Sequence, residues 1–356
     1  MKMPASTPRG RGVIARWAAF LDVDDATPRI TLGEGGTPLV HSCLTSERLG
    51  VDVYLKLELC NPTGSFKDRG MCMAVARALQ EGASTLVCAS TGNTSAAAAA
   101  FAAAAGMRCV VVLPAGKIAA GKLLQAQMTG AIVVEVDGNF DDALAAVREL
   151  SERPGYALVN SVNPYRIEGQ KTAAFEVCED LGTAPDWLCI PVGNAGNVTA
   201  YSRGFSEMLD RGVTTRVPRL LGVQAAGAAP LVDGKPVEHP ETLATAIRIG
   251  KPARGEEALA AISASGGAII KRSDEELLES YARIAHEAGI FAEPASCISI
   301  AGLEEAVGRG LIAPGSTVVC VLTGHGLKDP DTAMRVVHPP RRCAATAAAI
   351  AREVDG

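Results

Sequence analysis

The chain is 356 residues long, which at about 150 residues per domain suggests two domains, each able to bury its own core. Hydrophobic residues at 48% and charged residues at 21% exclude a disordered chain, and a net charge of -5 offers no basic field for a nucleic-acid backbone. The start, Met-Lys-Met-Pro, is not a basic segment leading into an apolar stretch and a small-residue cleavage site, so a cytoplasmic protein is expected.

In chain order, residues 1–11 and 341–356 are expected to be the least ordered parts. Strands are predicted over Val51–Leu59, Ser84–Ala89, Cys109–Leu113, Ile132–Val136, Leu188–Val192, Leu220–Gln224 and Thr317–Leu322. Several are apolar on both faces, as central strands of a parallel sheet must be. Helices are predicted over Asp68–Gln80, Thr94–Ala105, Phe140–Leu150, Glu168–Leu181, Asn197–Leu209 and Asp274–Glu287. This alternation predicts an α/β fold of parallel sheets covered by helices. The most apolar window, 96–114, is mostly alanine and is broken by Gly106 and Arg108, so it reads as helix, turn and strand and not as a membrane span. Ten cysteines are scattered without a Cys-x-x-Cys pair, which predicts mostly small buried side chains in a reducing compartment.

The densest chemistry lies in Asn61-Pro62-Thr63-Gly64-Ser65-Phe66-Lys67-Asp68-Arg69-Gly70. A turn at Pro62 and Gly64 leads to Ser65, a capping residue, and puts Lys67 in the first turn of a helix. An ammonium there opposes the helix dipole, which suggests a task such as an amine nucleophile forming a Schiff base; the alternative is a solvated surface lysine. In Ser90-Thr91-Gly92-Asn93-Thr94-Ser95, small hydroxyl and amide side chains open a helix after a strand, an arrangement that suits a carboxylate or simply caps the helix through Thr91 or Asn93. Gly193-Asn194-Ala195-Gly196-Asn197 again follows a strand, with glycines that admit a phosphate to the backbone. It lacks the Gly-x-Gly-x-x-Gly spacing and the P-loop lysine, which argues against NAD and ATP. Thr323-Gly324-His325-Gly326-Leu327-Lys328 places a hydroxyl at a strand's carboxyl end, where α/β sheets bind ligands. His325 reads as a turn residue, and no histidine spacing supports a metal site.

A lysine opening one helix, an asparagine turn, a phosphate-sized glycine loop and a hydroxyl at a strand end together resemble the threonine synthases. These belong to the fold type II pyridoxal-phosphate enzymes, with tryptophan synthase β and the serine and threonine dehydratases. The resemblance runs from Gly33-Glu34-Gly35-Gly36-Thr37-Pro38-Leu39 to Asp331, and its longest matches are the segment around Lys67 and Leu-Thr-Gly-His-Gly-Leu-Lys-Asp-Pro. It implies two domains: a large cofactor-binding domain of residues 1–50 and 160–356, and a smaller inserted α/β domain of residues 51–159 that carries the Schiff-base lysine. It further implies that Lys67 carries pyridoxal 5'-phosphate, that Asn93 contacts the ring hydroxyl, and that Gly193, Asn194, Ala195, Gly196 and Asn197 bind its phosphate. Thr323 would meet the pyridine nitrogen.

By the same resemblance, Ser90, Thr91 and Thr94 would bind substrate, and Asn160, Ser161 and Arg166 its phosphate. Arg166 is suited to this by its bidentate fork, unless it pairs with Glu168 or a helix end. The implied reaction is O-phospho-L-homoserine plus water to L-threonine and phosphate, the last step of threonine biosynthesis. A homodimer with no membrane or nucleic-acid partner is expected. Related possibilities are β-replacement on O-phosphoserine, as in cysteate synthases, a dehydratase, which the phosphate segment argues against, and a catalytically silent relative. One departure stands out: after Ala246-Ile247-Arg248-Ile249-Gly250 the family commonly continues Asn-Pro-Ala-Ser-Trp, whereas this chain has Lys251-Pro252-Ala253-Arg254-Gly255. The two cations are read as a solvated surface or as a change in substrate choice.

Overall fold

The computed structural model describes residues 10–116 and 120–355, with the side chains of residues 120–122 left aside. The strands are β1 (Leu39–His41), β2 (Asp52–Leu57), β3 (Thr85–Ala89), β4 (Arg108–Pro114), β5 (Ile132–Val136), β6 (Tyr156–Leu158), β7 (Trp187–Pro191), β8 (Arg219–Ala225), β9 (Ala268–Arg272) and β10 (Thr317–Leu322). The helices are α1 (Val13–Trp17), α2 (Cys43–Leu49), α3 (Lys67–Gln80), α4 (Asn93–Ala104), α5 (Ala120–Met128), α6 (Phe140–Leu150) and α7 (Pro164–Leu181). They continue with α8 (Gly196–Asp210), α9 (Pro230–Asp233), α10 (Gly255–Ala264), α11 (Asp274–Ala288), α12 (Pro294–Gly308), α13 (Pro330–Ala333) and α14 (Ala347–Asp355).

Two sheets result. The larger has the order β1-β2-β10-β7-β8-β9 and the smaller β5-β4-β3-β6, parallel throughout except for the β1–β2 pair. The strands apolar on both faces are the interior ones. In β3, Leu86 and Cys88 point to a core shared with α3, α4, α7 and α8, while Val87 and Ala89 point to α6 on the outer face. In β10, Val319 and Val321 face that same shared core, and Val318, Cys320 and Leu322 face α11 and α12. The helices α3, α4, α7 and α8 therefore lie between the sheets.

The smaller sheet is drawn from residues 85–158. β2, which the expected boundary at residue 51 assigns to the inserted segment, pairs instead with β10 of the larger sheet. Its Val53, Leu55 and Leu57 help cover α11 and α12, so the chain crosses to the smaller sheet only afterwards, through α3.

The tail, expected to be poorly ordered, contains α14; of the other end, residues 1–9 lie outside the described residues. Window 96–114 is most of α4, a turn and β4, and no helix among the described residues is long and apolar enough to cross a membrane. Cys72, Cys88, Cys109, Cys178, Cys189, Cys297 and Cys320 are buried free thiols, whereas Cys43, Cys60 and Cys343 are exposed.

Candidate active site

Each segment singled out in the sequence follows the carboxyl end of a strand: β2, β3, β6, β7 or β10. After β2 a 3-10 turn, Glu58–Cys60, leads into a loop closed by the Gly64 N–H donating to the Asn61 carbonyl (2.7 Å). The Thr63 N–H and hydroxyl both donate to the Asp68 carboxylate (2.7 and 2.6 Å), so the loop folds back onto the helix it starts. Ser65 lies one residue too early to be the N-cap, which is Phe66; its hydroxyl instead accepts from the Lys67 N–H at 3.4 Å. Lys67 is thus the first residue of α3, and the Phe66 N–H donating to the Thr323 carbonyl (3.0 Å) sets it beside the end of β10.

The next residue but one anchors this arrangement. Buried Arg69 binds Glu58 (2.6 and 2.8 Å) and Glu176 (2.6 and 2.8 Å), and Lys56 donates to Glu176 at 2.9 Å. Burial pushes the Glu176 carboxyl up, but Arg69 and Lys56 outweigh it and hold it well below the usual carboxylate range. Glu176 lies on α7, so the network ties the lysine helix to the helix that carries Arg166. Two glycines let those helices touch: a Cβ on Gly70 would stand 2.6 Å from the Arg166 carbonyl oxygen, and one on Gly169 would collide with the Arg69 carbonyl.

This packing brings two cations together. Lys67 keeps a partly accessible surface, with its ammonium 4.2 Å from the Phe66 ring centroid. Burial and then Arg166 pull its amine down to about 7, against an upward pull from Glu293. Arg166 is 1% exposed and donates through Nη1 to the Val159 carbonyl (3.0 Å), while its Nε and Nη2 have no partner among the described residues. It does not pair with Glu168, which binds Lys171 and Arg203. Burial also lifts the Asp68 carboxyl to about 7, against Thr63 and Lys328.

At the end of β3 the N-cap of α4 is Gly92, so neither Thr91 nor Asn93 caps. Ser90 turns its hydroxyl to the Gly92 N–H (3.1 Å), Thr91 is half-buried and Thr94 is buried. Asn93 donates from Nδ2 to both carboxylate oxygens of Glu293 (3.1 and 3.2 Å), leaving its buried Oδ1 without a partner among the described residues. After β7, Gly193 is buried, Asn194 is half-buried, and Ala195 takes φ 64°, the one non-glycine residue with positive φ among the described residues. That strained residue caps α8, so the loop turns sharply into a helix N-terminus, a natural anion site. Buried Asn197 has an Nδ2 without a partner among the described residues. After β10, Thr323 Oγ1 lies 2.9 Å from Ser296 Oγ. His325 accepts from the Leu327 N–H through Nδ1 (3.2 Å), a turn role.

Two expectations change. Asn160 does not offer its amide as a free donor: Oδ1 accepts from the Ala89 N–H (3.0 Å) and Nδ2 donates to the Ala89 carbonyl (2.8 Å), extending the β3–β6 ladder by side chain. Its neighbour Ser161 is half-buried. Arg254 is not solvated: it pairs with Glu257 (2.8 Å), reaches toward the Val162 carbonyl (3.5 Å), and its Nε is buried, whereas Lys251 is exposed. The residues that sequence reasoning missed are Glu293, Ser296 and the Arg69 network. A Glu-Pro pair opening a helix was the available signal for the first.

The chain matches the family described as "Pyridoxal-phosphate dependent enzyme" over residues 30–324. It is 58% identical over 327 residues to a threonine synthase of Halalkalibacterium halodurans, covering 92% of each chain. It is 57% identical over 325 residues to one of Mycobacterium tuberculosis, covering 91% of this chain and 90% of that one. Among solved structures, a threonine deaminase from T.th. superposes with a TM-score of 0.70 at 26% identity, over 88% of this chain and 96% of the other.

Proposed function

The chain belongs to the pyridoxal-phosphate-dependent enzymes and among them to the threonine synthases, and on that premise we infer that it converts O-phospho-L-homoserine and water to L-threonine and phosphate. Its residues fit the cofactor. Asn93 Oδ1 and Asn197 Nδ2 are buried polar atoms without a partner among the described residues, and the α8 N-terminus behind strained Ala195 supplies backbone donors. On this reading Lys67 holds the aldehyde, Asn93 the ring hydroxyl, residues 193–197 the phosphate, and the Thr323 hydroxyl the ring nitrogen. Bound there, pyridoxal phosphate supplies a conjugated ring that takes up electron density from the carbons of the substrate.

The remaining work falls to the chain. The α4 N-terminus, with Ser90, Thr91 and Thr94, faces the substrate carboxylate. Once displaced by the substrate amine, Lys67 takes the proton from the α-carbon and then one from the β-carbon. An amine near 7 can both accept and return protons at neutral pH. The unpartnered Nε and Nη2 of Arg166 receive the phosphate leaving the γ-carbon, with Ser161 as a neutral donor. Lys67 passes one of these protons to the γ-carbon, which becomes the methyl group; water then adds its hydroxyl at the β-carbon, its other proton ends on the released phosphate, and Lys67 returns a proton to the α-carbon. A flexible four-carbon stem serves several carbons, which a rigid guanidinium could not.

The observation that carries the reading is buried Arg166, whose Nε and Nη2 have no partner among the described residues, on a helix packed through Gly70 against the helix that Lys67 opens. A substrate panel tests it. Phosphate release from O-phospho-L-homoserine is expected, lost in Lys67→Ala. Product from O-phospho-L-serine plus sulfite, or ammonia from L-threonine, with none from O-phospho-L-homoserine, would overturn it. We also propose that the enzyme acts as a homodimer in the cytoplasm, on a small-molecule substrate with no membrane or nucleic-acid partner.

A further inference from the structure

Ser296, the third residue of α12, is 0% exposed and has a single proton to donate. Its Oγ accepts from the Gly324 N–H at 2.9 Å. Two acceptors compete for its proton: Thr323 Oγ1 at 2.9 Å and the Gly324 carbonyl at 3.3 Å. That carbonyl already accepts from the Glu293 N–H at 2.8 Å, so the closer, unserved oxygen of Thr323 is the better acceptor. With a lone pair of Thr323 taken in this way, the threonine's own proton is left to point away from Ser296. The opposite direction would leave Thr323 only lone pairs to offer, which would favour a protonated nitrogen opposite it.

We propose that Ser296 is a positioning residue: by donating to Thr323 Oγ1 it fixes that hydroxyl as a donor toward the cofactor's ring nitrogen and keeps the nitrogen unprotonated. The proposal rests on the reading that Thr323 faces the ring nitrogen. A neutral ring nitrogen draws less electron density from the substrate than a pyridinium, so the Ser296 hydroxyl sets the strength of the electron sink without touching substrate or cofactor. Charged groups that border this pair are Glu293, whose N–H meets Gly324, and Lys67, next to the Phe66 N–H that meets the Thr323 carbonyl. Neither is altered in the variants below.

The test is the 15N resonance of the ring nitrogen in holoenzyme loaded with 15N-labelled pyridoxal phosphate, at one neutral pH, for wild type, Ser296→Ala, Ser296→Cys and Thr323→Val. The wild type is expected to show an unprotonated nitrogen. In Ser296→Ala the Thr323 lone pair becomes free to accept, and the protonated fraction is expected to rise about tenfold, the factor equivalent to about 1.4 kcal/mol, or one hydrogen bond. Ser296→Cys, a weaker donor, should fall between, and it decides the matter if Ser296→Ala does not fold. A resonance that moves in Thr323→Val but not in the Ser296 variants overturns the proposal and leaves the cofactor reading standing. If no variant moves it, both fail, and a protonated nitrogen in the wild type overturns the proposal outright.

Discussion

Gly70→Ala is the perturbation that reads most directly how the fold positions the reacting groups. The added Cβ would lie 2.6 Å from the Arg166 carbonyl oxygen and 3.0 Å from Arg166 Cα, both backbone atoms. Ordinary contact needs roughly 3.4 Å or more, so α3 and α7 must part by about 0.5–1 Å, at a cost of about 1–3 kcal/mol for overpacking. Alanine recovers about 0.8–1 kcal/mol of helix propensity, so the net destabilisation should be about 0–2 kcal/mol. The effect on turnover should be the larger of the two. Lys67 stands three residues before Gly70, and a misplacement of about 1 Å between reacting groups costs on the order of a hundredfold. Gly308→Ala is the control, because its Cβ would meet nothing within 4 Å. Thermal unfolding and steady-state turnover of both variants make the comparison. A Gly70→Ala enzyme as stable and as active as Gly308→Ala would refute the claim that helix contact sets the Lys67–Arg166 geometry.

Further expectations concern charge. The rate at which pyridoxal phosphate attaches to the cofactor-free chain follows the neutral amine of Lys67, held near 7, so it should rise about tenfold per pH unit below 7 and level off above it; a rate still climbing at pH 9 would show an ordinary lysine. Glu176 has a folded value depressed below its unfolded one, so its contribution to stability is present above the unfolded range, about pH 4, and is lost as pH falls further. Glu176→Gln should cost about 3–5 kcal/mol at neutral pH and flatten that acid limb in a pH series of urea melts, whereas an unchanged limb would assign acid unfolding to other carboxylates. Arg166→Gln should lower kcat/KM for O-phospho-L-homoserine about 10- to 100-fold, the value of about one charge-assisted hydrogen bond, and an unaltered kcat/KM would remove Arg166 from the phosphate site.

What the sequence made legible follows from where its information is local. β3, β7 and β10 stand out because their residues are apolar on both faces, and the segments that follow them carry hydroxyls, amides and glycines in tight clusters. The start of α7 was displaced because residues 160–166 read as one binding loop, although Asn163 caps the helix and Pro164 fits its first position. α12 is nearly buried all round, so it has no polar stripe to betray its period, and Glu293 and Ser296 stayed hidden with it. Arg69 could not be read as an anchor because its partner Glu176 lies 107 residues away, and Asn160 could not be read as a strand extension because Ala89 lies 71 residues away. Arg254 looked solvated only because neither Glu257 nor the Val162 carbonyl can be placed around it from sequence alone.

The central claim is tested most directly by running the reaction on O-phospho-L-homoserine in 18O-enriched water and measuring threonine, phosphate and the position of the label together. The account predicts equal amounts of the two products, with one labelled oxygen in the β-hydroxyl of threonine and none in the phosphate. Phosphate that carries the label, or that forms without threonine, would mean hydrolysis or uncoupled elimination and would contradict it.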